Sequence, residues 1–327
     1  MPIHGNNAAN TVPDELIGLL RAAPSVWTSA ELQQFGISSR VRRRLLDAGV
    51  LLGVQRGAYA LREVAGSMGR DERAALRLAA HQKVYRWRAE RAFAYSHSSA
   101  ARLQGFQLWH ADEFVHVTCR SNACPERFGP DVRTHQIPIA ETEIQFSSGV
   151  GLTTVERTVV DCCRILDLEG SLVIMDQALR AGADRGRLAG YAERQKGHRG
   201  VVNLRQVLEL GDGRSESMGE TRTRFLLWLM NVSPPVPQFT VWTDRGSRRI
   251  DFAWPELKVA LEFDGKSKYF AQVPTDQAIA EERIRERRLM ELGWQFVRLD
   301  WQDLENPEAV KRRIHRAWET ARTRVAA

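Results

Sequence analysis

Three carboxylates lie close together near the C-terminus of the chain, at Asp251, Glu262 and Asp264. Each belongs to a segment in which apolar residues occupy every second position, a pattern typical of a β-strand with one buried face. This alternation places the carboxylates on the face opposite the apolar residues. An oxygen-only set of ligands suits Mg²⁺ or Mn²⁺ and does not suit zinc. The sequence therefore predicts a metal site of the magnesium type on two neighbouring strands.

The spacing of these two segments predicts an antiparallel hairpin. If residues 255–258 form the turn, Trp254 pairs with Val259 and Asp251 lies opposite Glu262. The Cβ atoms of such a pair are roughly 4.5–5.5 Å apart. Two negative charges at that distance repel each other unless a proton or a cation lies between them.

A fourth carboxylate and two arginines precede the hairpin. Glu220 lies near the start of a helix predicted over 217–230, and Arg222 and Arg224 are placed to hold a phosphate. Such a cluster serves phosphodiester hydrolysis, because a bound metal lowers the pKa of a water and neutralises charge that builds up on the phosphate. A basic side chain then orients the water or stabilises the transition state.

Three motifs in this region resemble the DUF559 group, whose members are similar to the very-short-patch-repair endonucleases of the PD-(D/E)xK nuclease superfamily. The motifs are Ile-Asp-Phe-Ala-Trp-Pro at 250–255, Leu-Glu-Phe-Asp-Gly at 261–265, and Arg-Glu-Arg-Arg-Leu-Met-Glu-Leu-Gly-Trp-Gln-Phe-Val-Arg-Leu at 285–299. The resemblance spans residues 215–322. It implies a metal-dependent nuclease core, with Asp251 and Glu262 as metal ligands and Glu220 as the acid carried by the helix.

The sequence departs from the superfamily pattern at one position. The pattern Asp…Glu-x-Lys has a lysine two residues after the glutamate, where this chain has Asp264. Lys266 follows two residues later and is our first choice for the positive catalytic group, with Arg283 and Arg287 on the next helix as substitutes. The histidines of the very-short-patch type are absent from this stretch. An active nuclease and an inactive relative used for binding therefore both stay open.

The first 69 residues carry a different pattern, with three amphipathic helices followed by a short hairpin. Thr28 and Glu31 have the spacing of a capping box at the start of the second helix, and Ser38 or Ser39 caps the third. This order is that of a winged helix-turn-helix, in which the second helix of the motif enters the major groove. Because arginine pairs with guanine or holds phosphate, the residues predicted to contact DNA are Ser39, Arg40, Arg43, Arg44 and Arg56.

This segment resembles the N-terminal winged helix of the AbiEi-type antitoxins, through the runs at 27–32, 36–37, 43–50 and 56–59. The middle of the chain, at 96–105 and 156–161, resembles what lies between such a winged helix and DUF559. The family represses its own operon and counters a nucleotidyltransferase toxin. The resemblance thus implies an alternative function, a non-enzymatic repressor with a vestigial nuclease fold, whose partners are double-stranded DNA and a nucleotidyltransferase-type toxin. A homodimer is one expected assembly, since such regulators often bind pseudo-palindromic sites.

The overall charge gives only a weak hint of a polyanion partner. The 327 residues have a net charge of +7, with eight basic and five acidic residues in 1–70, 19 and 17 in 71–210, and 20 and 18 in 211–327. A basic surface that binds a polyanion must therefore be formed by local clusters of residues. The sequence has no run of about 18 apolar residues and no secretory signal. Because its four cysteines are expected as reduced thiols, we expect a cytoplasmic protein without membrane association.

These patterns predict an α+β multidomain protein. A winged helix-turn-helix DNA-binding domain is expected at 1–69, a mixed α+β linking domain at 70–210, and a restriction-endonuclease-like α/β/α domain at 211–327. The expected function is DNA binding joined to Mg²⁺- or Mn²⁺-dependent endonuclease chemistry.

Three smaller expectations concern side chains outside the acidic hairpin. Arg157 and Asp161 are four residues apart, which predicts an ion pair on one helix face. The sequence around His97, with Ser98 and Ser99, is attributed to a capped helix start. The side chains expected in the core of the last domain are Trp228, Trp242, Trp254 and Trp294.

Overall fold

The computed structural model describes residues 18, 20, 26–89, 92–120, 128–244, 246–265 and 287–326. Within those residues the chain is a mixed α+β protein with sheets of three, five and four strands, as the sequence patterns predict. It divides into two units, residues 1–166 with 190–204 and residues 167–189 with 205–327. The three sequence-based domain boundaries divide the chain differently and stay a prediction.

The first part of unit 1 is a small sheet with short helices. Its elements are β1 Trp27–Thr28, α1 Ser29–Gln34, α2 Ser39–Asp47, β2 Leu51–Gln55, β3 Ala58–Leu61 and α3 Arg62–Ser67. The strands lie in the order β1-β3-β2. The predicted capping box is confirmed, because Thr28 N donates to Glu31 Oε2 at 2.7 Å and Glu31 N donates to Thr28 Oγ1 at 3.2 Å. Ser38 caps α2. The first predicted helix falls outside the described residues except for 18 and 20, which are helical.

A five-stranded sheet forms the rest of unit 1. Its elements are α4 Arg70–Ala89, β4 Phe93–Tyr95, α5 His97–Leu103, β5 Val115–Cys119, β6 Val132–His135, β7 Ile144–Ser147, β8 Val150–Thr153 and α6 Val155–Cys162. The strand order is β6-β5-β4-β8-β7. The sequence predicts strands at 114–118, 132–136 and 143–146, which correspond to β5, β6 and β7, but it does not mark β4 and β8. Both are short and buried at every position, so no alternation of polar and apolar residues marks them.

The ion pair predicted within α6 is confirmed, and it is buried. Arg157 Nε donates to Asp161 Oδ1 at 2.9 Å, and Arg157 Nη1 donates to Glu143 Oε2 at 3.0 Å. Burial raises the pKa of Asp161 to about 6 in spite of the neighbouring guanidinium. The arginine therefore ties α6 to the segment before β7.

Unit 2 carries the predicted carboxylates. After α7 Leu168–Arg180, the helices α8 Arg185–Arg194 and α9 Val201–Leu210 cross the boundary between the units. The remaining elements are α10 Met218–Leu229, β9 Val236–Thr243, β10 Gly246–Trp254, β11 Val259–Phe263, β12 Gln295–Leu299 and α11 Pro307–Ala326. The strand order is β12-β11-β10-β9, with β11 and β12 parallel and the other pairs antiparallel. The sequence predicts a long charged helix over 275–292, of which the structure describes only the part from residue 287.

Two apolar clusters bury this sheet. One contains Phe252 and Trp254 with residues of α10 and α11, and the other contains Ile250 and Trp294. The alternation of apolar residues in this segment predicts that Ile250 shares a face with Phe252 and Trp254. That prediction is wrong, because Ile250 belongs to the other cluster. Gln238, on the strand paired with Ile250, has a left-handed backbone with φ of +51°, and this local irregularity interrupts the simple alternation.

The expectation for the four tryptophans is half right. Trp254 and Trp294 are buried, whereas Trp228 is 46% exposed and Trp242 is 77% exposed. Trp242 lies on β9, an edge strand with one neighbour. Trp228 lies in the last turn of α10 and stacks on Phe225 at 5.7 Å. Position at an edge of the fold therefore overrides the aromatic preference for burial.

The cysteines differ in their chemical state. Cys162 and Cys163 are buried free thiols, as expected. Cys119 is disulfide-bonded, so the expectation of four reduced cysteines is wrong for that residue. Cys124 lies outside the described residues. In the part of the chain that the structure describes, no helix combines the length and apolar character needed to cross a membrane.

Candidate active site

The hairpin of β10 and β11 has the predicted register. Trp254 pairs with Val259 and Phe252 pairs with Leu261. The expected opposition of Asp251 and Glu262 lies beyond these pairs and stays a prediction. Asp251 is partly buried, and its Oδ2 accepts a hydrogen bond from the backbone N–H of Phe263 at 3.0 Å. The hairpin thus fixes one carboxylate against the end of the neighbouring strand.

Helix α10 brings Glu220 to the same region. Ser217 caps the helix and accepts from Glu220 N at 3.1 Å. The Glu220 carboxylate is buried and accepts from Ser217 Oγ at 2.9 Å, from Glu216 N at 2.9 Å and from Gln238 Nε2 at 2.8 Å. These hydrogen bonds hold the side chain in one position and offset the cost of burying a carboxylate.

The approach of α10 to the sheet depends on a glycine. A Cβ atom built on Gly219 would lie 1.9 Å from the Phe263 ring, far inside van der Waals contact. Phe263 packs in turn on Trp301, with ring centroids 4.8 Å apart. Glycine at this position therefore allows the helix start, and with it Glu220, to lie against the end of β11.

The electrostatics of Asp251 reflect this arrangement. Its pKa is raised from 3.8 to about 6, first by burial and then by the negative charges of Glu220 and Glu216. The hydrogen bond from Phe263 N and the charge of Arg249 act in the opposite direction. Arg249 Nη2 is itself bound to Glu216 Oε2 at 2.6 Å. We call Glu216, Glu220 and Asp251 the acidic site.

The other predicted ligands differ in their surroundings. Glu262 lies beside Arg298 of β12, with Oε2 and Nη2 3.5 Å apart, and Asp264 is exposed. Lys266 and Arg283 lie outside the described residues, and Arg287 is exposed. Among the residues that the structure describes, Asp251, Glu262 and Asp264 do not form a group whose ligand atoms all lie within 4.8 Å of one another. The predicted trio is therefore not assembled as one compact cluster in this arrangement.

The expectation that Arg222 and Arg224 hold a phosphate is wrong. Arg222 is buried and binds Glu169 at 2.8 Å and Glu305 at 3.1 Å. Arg224 binds Asp176 at 2.5 Å. Both guanidinium groups are neutralised by carboxylates from helices or turns distant in the sequence, and they stabilise packing around α10.

The predicted DNA-contacting residues all lie on the surface of unit 1. The exposed residues are Ser39, Arg40, Arg43, Arg44 and Arg56. Arg43 forms an ion pair with Asp47 at 3.2 Å. Arg42, which the sequence did not assign to DNA, lies over the Tyr59 ring at 5.2 Å. The outer face of α2 therefore carries three exposed guanidinium groups, as predicted.

The sequence analysis did not identify two side chains that contact the predicted carboxylates. Gln238 binds Glu220, and Arg298 lies beside Glu262. The signal for Arg298 is the parallel register of β11 and β12, which pairs it with Glu262, and parallel pairing cannot be derived from local spacing. Gln238 stands at a left-handed position that no local pattern marks.

Comparisons with known proteins add relatives but no function. No family model matches the chain. The uncharacterized protein MT2308 of Mycobacterium tuberculosis (strain CDC 1551 / Oshkosh) is 30% identical over 182 residues, which are 55% of this chain and 66% of that protein. The uncharacterized protein Rv2248 of Mycobacterium tuberculosis (strain ATCC 25618 / H37Rv) matches to the same extent. The chain thus spans just under two thirds of the length of these relatives.

One solved structure is a distant neighbour. The crystal structure of the RV2827C protein from Mycobacterium tuberculosis covers 72% of this chain and 91% of that chain, with 17% identity and a TM-score of 0.40. A TM-score of this size does not establish a shared fold.

The raised pKa of Asp251 predicts a pH-dependent effect of Asp251→Asn. The folded state binds the proton of Asp251 more tightly than the unfolded state does. The stabilisation from this tighter binding is complete below pH 3.8 and is lost as the pH rises through about 6. Asparagine removes the charge, so at pH 8 the substitution should raise the free energy of unfolding by about 1–3 kcal/mol. At pH 4 it should change little.

Urea denaturation at the two pH values measures this difference, with the exposed Asp244→Asn as the matched control. An effect of Asp251→Asn that is the same at pH 4 and pH 8 would contradict the electrostatic account of the site.

Proposed function

We propose that the protein binds double-stranded DNA through unit 1 and hydrolyses phosphodiester bonds at the acidic site of unit 2 with a divalent cation. The observation that carries this proposal is the close approach of α10 to the end of β11 at Gly219, which brings the buried Glu220 carboxylate near Asp251, whose Oδ2 is held by Phe263 N. The raised pKa of Asp251, caused first by burial and then by Glu220 and Glu216, agrees with this arrangement. A carboxylate whose charge is disfavoured in this way gains from a bound cation. Perturbed carboxylates cluster at functional sites.

The donor chemistry of the acidic site fits Mg²⁺ or Mn²⁺. Mg²⁺ is bound by one or two carboxylates, keeps several waters and takes oxygen ligands. We propose Asp251 of β10 and Glu262 of β11 as such a pair. Asp264 is exposed and is not needed as a third ligand.

The chain's own residues then have distinct roles. When bound, the cation supplies charge neutralisation for the phosphate and a lower pKa for the attacking water. Phe263 N orients Asp251, and the contacts of Glu220 with Ser217 and Gln238 hold it next to that carboxylate. Arg298, 3.5 Å from Glu262, is our proposal for the group that contacts the phosphate in the role that the superfamily gives to lysine.

Support for DNA binding comes from the outer face of α2. Three exposed arginines lie within five residues of one helix, and Arg56 extends the positive surface onto the turn between β2 and β3. Guanidinium groups match phosphate oxygens in bidentate geometry. A winged helix-turn-helix is the arrangement we infer for this segment, with α2 as the recognition helix.

A second candidate is favoured by a different observation. Glu262 has Arg298 as its partner, and Glu220 is occupied by cap and amide hydrogen bonds. A vestigial nuclease fold would retain carboxylates that are bound by the protein's own side chains and backbone. Under this alternative the protein is a non-enzymatic repressor of the antitoxin type, and its partners are operator DNA and a nucleotidyltransferase-type toxin.

Plasmid cleavage separates the two candidates. Purified protein should nick supercoiled DNA with Mn²⁺ or Mg²⁺, and a chelator should abolish the reaction. Asp251→Asn and Glu262→Gln should each lower the rate roughly 100-fold or more, because metal-based stabilisation of the transition state is worth several kcal/mol. The exposed Asp244→Asn in the same unit should retain the wild-type rate. Folded protein that binds DNA but cleaves neither DNA nor RNA would leave the repressor as the function.

DNA binding by α2 is tested by salt dependence. Replacing Arg40 or Arg44 by alanine should weaken binding and reduce the slope of log K against log salt by about one for each phosphate that the protein no longer neutralises. Arg199→Ala, an exposed arginine elsewhere in unit 1, removes the same charge and should leave the slope unchanged. Fluorescence anisotropy over a range of salt concentrations measures both effects. Equal slopes for all three variants would remove α2 from the DNA interface.

A further inference from the structure

Three histidines of unit 1, two of them buried and one half-buried, lie close together. Among the residues that the structure describes, His97, His116 and His135 form the one group of three or more His, Cys, Asp or Glu side chains whose potential ligand atoms all lie within 4.8 Å of one another. His97 is 1% exposed and His116 is 2% exposed. The chain therefore gathers three imidazoles where apolar side chains would ordinarily pack.

Three separate elements supply these side chains. His116 lies on β5, and His135 ends β6, the parallel neighbour of β5. His97 begins α5 with φ of +50°. The left-handed region is unfavourable for a residue with a Cβ atom and is found mostly where function or packing requires it. The fold thus keeps a strained backbone at the residue that completes the group.

The outer nitrogens of two rings have fixed partners. His97 Nδ1 is 2.9 Å from Ser96 Oγ, and His116 Nε2 is 2.9 Å from Asp112 Oδ1. Ser96 Oγ accepts in turn from Thr118 Oγ1 at 2.8 Å. A carboxylate or hydroxyl on the far nitrogen of a histidine is the usual arrangement behind a metal ligand, because it fixes the tautomer and the ring orientation.

The remaining nitrogens of the three rings contact each other or have no partner among the described residues. His116 Nδ1 lies 2.9 Å from His135 Nε2. His97 Nε2 is buried and has no hydrogen-bond partner among the described residues. A buried polar atom without a partner points to a missing ligand, since such atoms are nearly always satisfied.

We propose that His97 Nε2, His116 Nδ1 and His135 Nε2 bind one Zn²⁺ ion. Zinc–nitrogen bonds of about 2.0–2.1 Å at tetrahedral angles set two ligand nitrogens about 3.3 Å apart. The His116 and His135 nitrogens are already 2.9 Å apart, so the ion requires the two rings to separate slightly and to turn until both nitrogens face one point. It replaces the hydrogen bond between them.

His97 requires the larger adjustment. Its ring stacks on His135 with centroids 3.7 Å apart and planes 18° from parallel. To direct Nε2 at the same ion, the ring tilts out of this stack while Nδ1 stays near Ser96. Binding then gives the buried nitrogen a partner and ties the start of α5 to two strands of the sheet.

The ligand set selects the metal. Three neutral imidazoles suit zinc and similar transition metals, whereas Mg²⁺ takes oxygen ligands. The site therefore differs in chemistry from the acidic site, and the two bind different ions. Three protein ligands leave the fourth position to a water or an external ligand, as zinc sites with three histidines do.

Isothermal titration with Zn²⁺ tests the proposal on the full chain, freed of any histidine tag and of bound metal. We expect one ion per chain at this site. His135→Gln should weaken binding at least about 100-fold, and Asp112→Asn should weaken it by about 10- to 100-fold through the orientation of His116. His198→Gln removes an exposed histidine of the same unit and should bind as the wild type does. Asp251→Asn should also bind normally, because the site does not depend on the proposed nuclease chemistry.

Circular dichroism establishes that each variant is folded. Should His135→Gln fail to fold, the visible spectrum of the Co²⁺-loaded wild type decides, because a site with three imidazoles and one further ligand gives the intense bands of tetrahedral Co²⁺. Absence of Zn²⁺ binding would overturn the proposal. Equal affinity in wild type, folded His135→Gln and Asp112→Asn would overturn it as well, as would a Co²⁺ spectrum of octahedral type.

Discussion

The close approach of α10 to the end of β11 is the constraint on which the acidic site depends. Only a residue without a Cβ atom fits at Gly219, where the Phe263 ring lies in the path of any side chain. The approach carries Glu220 to Asp251, and Ser217 and Gln238 then hold it there. A larger residue at this position would separate helix and strand or displace the ring. The electrostatic coupling of the two carboxylates would be weakened in either case.

The consequence of that constraint is negative charge that the fold must compensate. Burial together with Glu220 and Glu216 makes ionised Asp251 unfavourable, and Arg249 relieves this only in part. A proton on Asp251 and a divalent cation are two ways to compensate the remaining charge. The nuclease and the repressor differ in which of these operates at neutral pH. The histidine group of unit 1 needs no such charge compensation, because neutral imidazoles do not repel one another and can bind a cation.

Sequence reasoning succeeded where structure follows from local periodicity. The register of Trp254 with Val259 and the capping box of Thr28 follow from alternation and from three-residue spacing. It failed where the partner lies far along the chain. Arg222 binds Glu169 of α7 instead of a phosphate, and the histidine group joins residues on three elements with no short motif. The resemblance to nucleases and antitoxins remains a prediction, because the relatives found are uncharacterized.

The central claim is that the carboxylates of Asp251 and Glu262 bind a divalent cation. X-ray diffraction from crystals grown with Mn²⁺, collected at the manganese absorption edge, tests it without relying on activity. The account predicts an anomalous peak in contact with both carboxylates and a Glu262 side chain that has moved away from Arg298. No peak at the acidic site, with Glu262 still beside Arg298 at saturating Mn²⁺, would contradict it.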